Sequence, residues 1–180
     1  MAPRMRTESN FAPTSFVQRF APLIARCANG LPIVDVACGS GRNATVFLEL
    51  GCRVICLDKD LGQIRSQYLA QAFPQGIEAV QINFLHQSWP LGTNAVGGII
   101  NVHFLLPKLF PSFIESLIPG GYLLIQTVPG CGGNYLQLPK SNELRSALSE
   151  HFEFEFYQER AVGPSALKTV TVNLLAKRRS

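Results

Sequence analysis

The residues best suited to chemistry fall in one short stretch, Ile33-Val34-Asp35-Val36-Ala37-Cys38-Gly39-Ser40-Gly41-Arg42-Asn43-Ala44. A β-branched run leads into a turn with two glycines, and a helical pattern follows. Glycines let a ligand approach the backbone closely, and a helix start offers N–H groups without intrahelical partners. Seventeen residues past Gly41, Asp58 closes a second apolar run. A carboxylate there can accept two hydrogen bonds from a ribose diol, each worth roughly 1.5–3 kcal/mol because the acceptor is charged. The outline suits a ligand that carries a nucleoside.

Two nucleoside cofactors fit it. Gly39-x-Gly41-x-x-Ala44 matches the dinucleotide fingerprint, so a nicotinamide-dependent oxidoreductase is one reading. Asp35 argues against it: an acid four residues before the first glycine repels a pyrophosphate at the helix start and holds an ammonium. The end of the chain argues against it too, because it alternates like antiparallel strands where a dinucleotide fold continues with parallel units.

The elements that must position these residues follow from periodicity. Phe16, Phe20, Leu23 and Ile24 recur at helical spacing, which predicts a helix over 14–27 stopped by Asn29-Gly30. Buried strands are predicted over 31–37, 52–57, 77–82, 95–102 and 122–128, with Gly97-Gly98 weakening the start of the fourth. Helices are predicted over 42–50, 61–72, 105–118 and 141–148. The second of these opens on an Asp60–Gln63 capping box, the third is strained by Pro111, and Ser141 caps the fourth. The apolar runs before residue 129 are continuous, as in a parallel sheet. Phe152, Phe154 and Phe156, then Val170, Val172, Leu174 and Ala176, alternate with period two, as in antiparallel strands wetted on one side. The expected fold is α/β, a Rossmann-like doubly wound, mostly parallel seven-stranded sheet with a C-terminal antiparallel hairpin. Residues 1–13 read as a flexible segment and 14–180 as one domain.

Here the sequence resembles the class I S-adenosylmethionine-dependent methyltransferases. Asp35-x-x-Cys38-Gly39-x-Gly41 is similar to their first motif, Asp58 to their ribose-binding acid, and Pro119-Gly120-Gly121 to the turn before their fifth strand. Gly41-Arg42-Asn43 and Leu138-Pro139-x-x-x-Glu143-Leu144 resemble small bacterial enzymes of the tellurite-resistance type. The resemblance implies S-adenosyl-L-methionine as cofactor. It places Gly39 and Gly41, with Ala37 and Asn43 beside them, under the methionine part. Asp35 would hold the ammonium, directly or through water. Asp58 would take the ribose with Lys59 beside the adenine, Asn83 and the Phe84 N–H would meet the base, and Asn101 would line the methionine channel. Valine at Gly39 or Gly41 is expected to block the cofactor without unfolding the core. Trp89 would border the adenine or plug the core beneath that loop.

His103 is the catalytic candidate. It follows the fourth strand, and ligands of open α/β sheets bind outside the carboxyl ends of the strands. A general base, a substrate ligand, a shape residue and a core histidine all remain open for it. Gln126 and Thr127 are weaker candidates. Arg42 reads equally as the partner of a surface acid, Asn83 as a loop cap and Cys38 as packing, and His86 and His151 as surface residues.

Composition narrows the partners. The chain of 180 residues carries sixteen Lys and Arg against twelve Asp and Glu, a net +4. Five of the bases (Arg4, Arg6, Lys177, Arg178, Arg179) sit at the ends, and residues 7–176 hold 11 bases and 12 acids. A duplex-binding face puts Lys and Arg on the folded body, so no nucleic-acid partner is expected. No uncharged apolar run reaches the ~18 residues of a membrane span, and no apolar leader precedes Phe11. Five cysteines without metal-ligand spacing read as reduced thiols in a cytoplasm, with no metal. No Asn-Pro-Pro-Tyr segment follows strand four, which removes the usual sign of nucleobase-amine methylation. The expected reaction is in-line methyl transfer to a small-molecule or oxyanion acceptor. A non-catalytic cofactor-binding module is the alternative, marked by binding without turnover, and ultraviolet difference titration separates both from the oxidoreductase.

Overall fold

In this computed structural model, residues 12–68, 75–128 and 138–180 are described. Helix α1 (Ser15–Cys27) starts where the Thr14 hydroxyl accepts the Val17 N–H at 3.3 Å, and it buries Phe16, Val17, Ala21 and Ile24. Then follow β1 (Ile33–Val36), α2 (Ala44–Glu49), β2 (Val54–Asp58), α3 (Gly62–Tyr68), β3 (Ile77–Gln81), β4 (Val96–Val102), α4 (Phe110–Ser116), β5 (Leu117–Gln126), α5 (Glu143–Leu148), β6 (Phe152–Ala161) and β7 (Val170–Arg178). All seven strands form one sheet in the order β3-β2-β1-β4-β5-β7-β6. Pairing is parallel from β3 to β5 and antiparallel for β5 with β7 and β7 with β6. The expected doubly wound α/β sheet with its C-terminal antiparallel hairpin is the fold observed. Strand order reverses between β1 and β4, which opens a crevice at their carboxyl ends.

The sheet has an apolar layer on each face. One layer joins Val34, Val36, Ile99, Leu123 and Ile125 to Phe110, Phe113, Leu144 and Leu148. The other joins Ile33, Cys56, Ile100 and Leu124 to Phe16, Ile24, Phe47 and Ile64. Gly97 does more than weaken a strand start: a Cβ there would lie 2.4 Å from the Ala28 backbone, so the glycine is what lets the end of α1 rest on β4.

Several local expectations are corrected. The helix expected over 105–118 is a 3-10 turn at 107–109 followed by α4, and residues 117–118 are already strand. Pro111 sits in the first turn of α4, where no intrahelical N–H is needed, so it imposes no strain. The Asp60–Gln63 capping box does not form, because the Asp60 N–H donates to Asp58 Oδ1 at 2.9 Å and Asp60 Oδ1 accepts from the Gly62 N–H at 2.8 Å. Ser141 does not cap α5. Its hydroxyl donates to Glu159 Oε2 at 2.7 Å, and Asn142 enters the helix at φ 62°.

The phenylalanine alternation misleads as well. A register shift between Phe154 and Phe156 inserts one extra residue, a bulge. Phe154 therefore stays with Phe152 on the α4/α5 face, whereas Phe156 turns to the other face against Phe16 and Phe20, with ring centroids 5.4 and 5.8 Å away. Among the described residues Cys27, Cys38, Cys52 and Cys56 are free thiols. Cys131, the glycine loop 130–133, Ala72 and the segment read as flexible up to residue 11 lie outside the described residues.

Candidate functional site

A cavity of about 580 Å³ opens at the carboxyl ends of the strands, within the ~300–1,000 Å³ range of small-ligand sites. Ala37, Asp58, Lys59, Ile82, Asn83, Phe84 and Leu85 line it from the β1–β3 side. His103 through Pro107, Thr127, Val128, Leu138, Pro139 and Glu143 line it from the β4, β5 and α5 side.

The turn after β1 is built by backbone bonds. Ala37, Gly39 and Gly41 have φ of 55, 56 and 76°, the left-handed region. The Gly41 N–H donates to the Cys38 carbonyl at 2.9 Å, and the Cys38 N–H to the Leu57 carbonyl of β2 at 3.1 Å. Asp58 fastens the turn from the side: its Oδ2 accepts the Gly39 N–H at 2.8 Å. Its two carboxylate oxygens thus hold one backbone N–H each and keep lone pairs for a ligand. A Cβ on Gly39 would meet only Gln63 Oε1, at 3.8 Å, so this glycine leaves room for a ligand. Gly41 differs. A Cβ there would lie 2.9 Å from Ile64 Cδ1, a fully buried side chain, so its close neighbour is the core. Valine at Gly41 would therefore press on the core, unlike valine at Gly39.

Asp35 lies under this turn on β1, 1 % exposed. Its Oδ2 is buried without a hydrogen-bond partner. Burial first, then the Asp58 charge, pushes its pKa up to about 7, against the opposing pull of Arg42. Asn43 is buried, and its Oδ1 accepts the Thr14 N–H at 3.1 Å, which ties α1 to the start of α2. Asn101, next to last in β4, is fully buried between Val36 and Ile125, with neither side-chain polar atom paired. Of the expected cofactor residues, then, Ala37, Asp58, Lys59, Asn83 and Phe84 line the cavity. Asp35, Gly39, Gly41, Asn43 and Asn101 are not among the residues that line it.

Asn83 Oδ1 accepts the Leu85 N–H at 3.0 Å, so it caps the turn that presents Phe84. Trp89 stacks behind Phe84 at 5.9 Å, meets Phe113 edge-on at 5.1 Å and donates Nε1–H to the Ser116 hydroxyl at 2.8 Å. It is a plug beneath the loop and does not line the cavity.

His103 is exposed to the cavity, which removes the core reading. It adopts φ 62°, and its N–H donates to the Gln126 carbonyl at 2.7 Å. A left-handed residue other than glycine costs roughly 1–2 kcal/mol. Its Nδ1 stands 3.4 Å from Arg42 Nη2, so among the described residues Arg42 turns to this ring. Burial, then the Arg42 charge, lowers the His103 pKa. Thr127 is occupied: its hydroxyl oxygen accepts the Val172 N–H at 2.8 Å. Gln126 Oε1 is buried without a partner. The apolar wall of Leu105, Leu106, Val128 and Leu138, and the acid Glu143, carry no site pattern in the sequence. Their run reads as an ordinary helix entry and a loop, although 138–144 carries part of the family resemblance.

The residues present fit an S-adenosylmethionine-sized cofactor: an unpaired buried carboxylate oxygen, open space over Gly39 and a strand-end acid at the cavity wall. No family model and no curated protein matches the chain by sequence. Solved structures do match in fold. The Burkholderia thailandensis 1,6-didemethyltoxoflavin-N1-methyltransferase, solved with 1,6-didemethyltoxoflavin and S-adenosylhomocysteine, has TM-score 0.62 and 17 % identity over 92 % of this chain and 79 % of that one. TehB from Haemophilus influenzae has TM-score 0.63 and 17 % identity over 88 % of this chain and 61 % of that one. The tRNA (m1A58) methyltransferase TrmI from Aquifex aeolicus has TM-score 0.64 and 8 % identity over 96 % and 72 %. The chain thus has the fold of the S-adenosylmethionine-dependent methyltransferases. Among the described residues no helix is long and apolar enough to cross a membrane.

Proposed function

We propose that residues 14–180 form one catalytic domain that transfers a methyl group from S-adenosylmethionine to a small molecule in the cytoplasm. One observation carries the reading: the buried Asp35 carboxylate, its Oδ2 without a partner, lies beneath a glycine turn that is itself pinned by Asp58. A charge held out of water without a partner is costly and persists where a ligand completes it. Asp35 would receive the ammonium, Asp58 the ribose hydroxyls, and Lys59, Asn83 and Phe84 the adenine. S-adenosylmethionine held there would supply a sulfonium methyl group for in-line transfer to an acceptor lone pair, with a neutral thioether as the leaving group. The leaving group needs no acid, so the chain's own residues orient the partners and exclude water. The near-neutral folded body supports a small acceptor over nucleic acid.

Calorimetric titration of the folded protein with S-adenosylmethionine and S-adenosylhomocysteine tests the reading, and no heat with either ligand overturns it. Asp58→Ala removes two charge-assisted bonds to the ribose and frees the Gly39 N–H. It is expected to weaken S-adenosylhomocysteine by about 2–4 kcal/mol, more than tenfold in Kd. An unchanged Kd would remove Asp58 from the ribose.

A further inference from the structure

The cavity wall contributed by β4, β5 and α5 has its own chemistry. A guanidinium is a donor only, so where Arg42 Nη2 approaches His103 Nδ1, that nitrogen must be the acceptor. The ring proton of neutral His103 then sits on Nε2, and neither ring nitrogen has a lone pair free to take a proton. A second observation bears on the same residue: His103 is held in a left-handed backbone by its N–H bond to Gln126, a strained geometry at a residue that lines the cavity. The surrounding wall of Phe104, Leu105, Leu106, Val128 and Leu138 is apolar. Among the described residues that line this side, His103 and the Thr127 hydroxyl carry side-chain donors, and the Arg42 guanidinium stands against the His103 ring.

Building on the methyltransferase reading, we propose that the acceptor is a small monoanion with an apolar, ring-sized body, its oxygen received by His103 Nε2–H beside the Arg42 charge. His103 is a positioning residue for the acceptor and does not act as its base. Glu143 lines the same cavity, with Oε2 accepting the Lys140 N–H at 2.8 Å. It defines the competing outcome, a cationic acceptor.

The test uses the full chain saturated with S-adenosylhomocysteine. Its binding is measured first, so that failure of the cofactor reading registers separately. Benzoate, benzyl alcohol and benzylamine are then titrated as matched anionic, neutral and cationic probes. Benzoate is expected to bind at least tenfold tighter than the other two. His103→Phe and Arg42→Met should each remove at least tenfold of that affinity, while His103→Gln, which keeps an N–H donor, should hold it within a few-fold. S-adenosylhomocysteine affinity in each variant checks that the fold persists. Nitrogen-15 spectra of histidine-labelled protein, with His103 assigned by its loss in His103→Gln, should show a protonated Nε2 and a bare Nδ1 at neutral pH. Preference for benzylamine, equal or absent binding of all three probes, or a proton on Nδ1 would overturn the proposal.

Discussion

Asp35→Asn is expected to make the ligand-free protein more heat-stable and at the same time to cripple cofactor binding. The ionised carboxylate is buried with one oxygen unpaired, and its pKa is raised from 3.8 to about 7. An acid whose folded pKa lies above its unfolded one binds more protons folded than unfolded between those values, so it costs stability as pH rises. The cost is absent below about pH 4, grows towards pH 7 and is complete above it. Asparagine removes the charge but leaves an amide to satisfy, for a net gain of about 1–3 kcal/mol, or roughly 2–10 °C in Tm at pH 8. Thermal melts from pH 4 to 8 should show the two proteins converging as pH falls. S-adenosylhomocysteine should bind the variant at least tenfold more weakly. Wild-type affinity should drop as pH falls below 7, because an ammonium needs the ionised partner. Parallel melting curves at every pH would mean that the Asp35 pKa is the same in the folded and unfolded chain.

The two turn glycines should separate under the same substitution. Gly41→Val places a β-branched side chain at φ 76° and drives its Cβ against buried Ile64. Left-handed strain of about 1–2 kcal/mol and overpacking of about 1–3 kcal/mol add to a loss on the order of 10 °C in Tm. Gly39→Val meets no wall and carries the strain alone, so it should fold with a smaller Tm loss yet fail to bind S-adenosylhomocysteine. Differential scanning calorimetry paired with titration reads both. Equal Tm losses would show that Ile64 yields.

Much of this was legible in the sequence because it rests on short-range signals. The strand–glycine–helix unit and Asp58 lie within 26 residues, and continuous apolar runs joined by helices leave few topologies. What stayed hidden depended on one extra residue or on contacts between distant segments. Nothing local marks the bulge that turns Phe156 over, because period-two alternation continues through it. The capping-box pattern at Asp60 and Gln63 was present, but Asp58 competes for the same N–H. Gly97 looked like a poor strand former because the Ala28 backbone pressed on it comes from a helix some seventy residues earlier. The position of His103 just beyond β4 follows from the sequence, but the meeting of its ring with Arg42 joins the first and fourth strand ends, and only the folded sheet brings them together.

The bulge in β6 also bears on how copies of this protein behave beside one another. β6 is the last strand of the sheet, and an outer strand offers a row of unpaired backbone groups on which a second sheet can grow. The extra residue breaks the even spacing such growth requires, and exposed Glu153, Glu155 and Arg160 set charges along the same border. The irregularity that seats Phe156 against α1 therefore also blunts this margin against amyloid-like stacking, at a place where three phenylalanines in five residues would otherwise invite it.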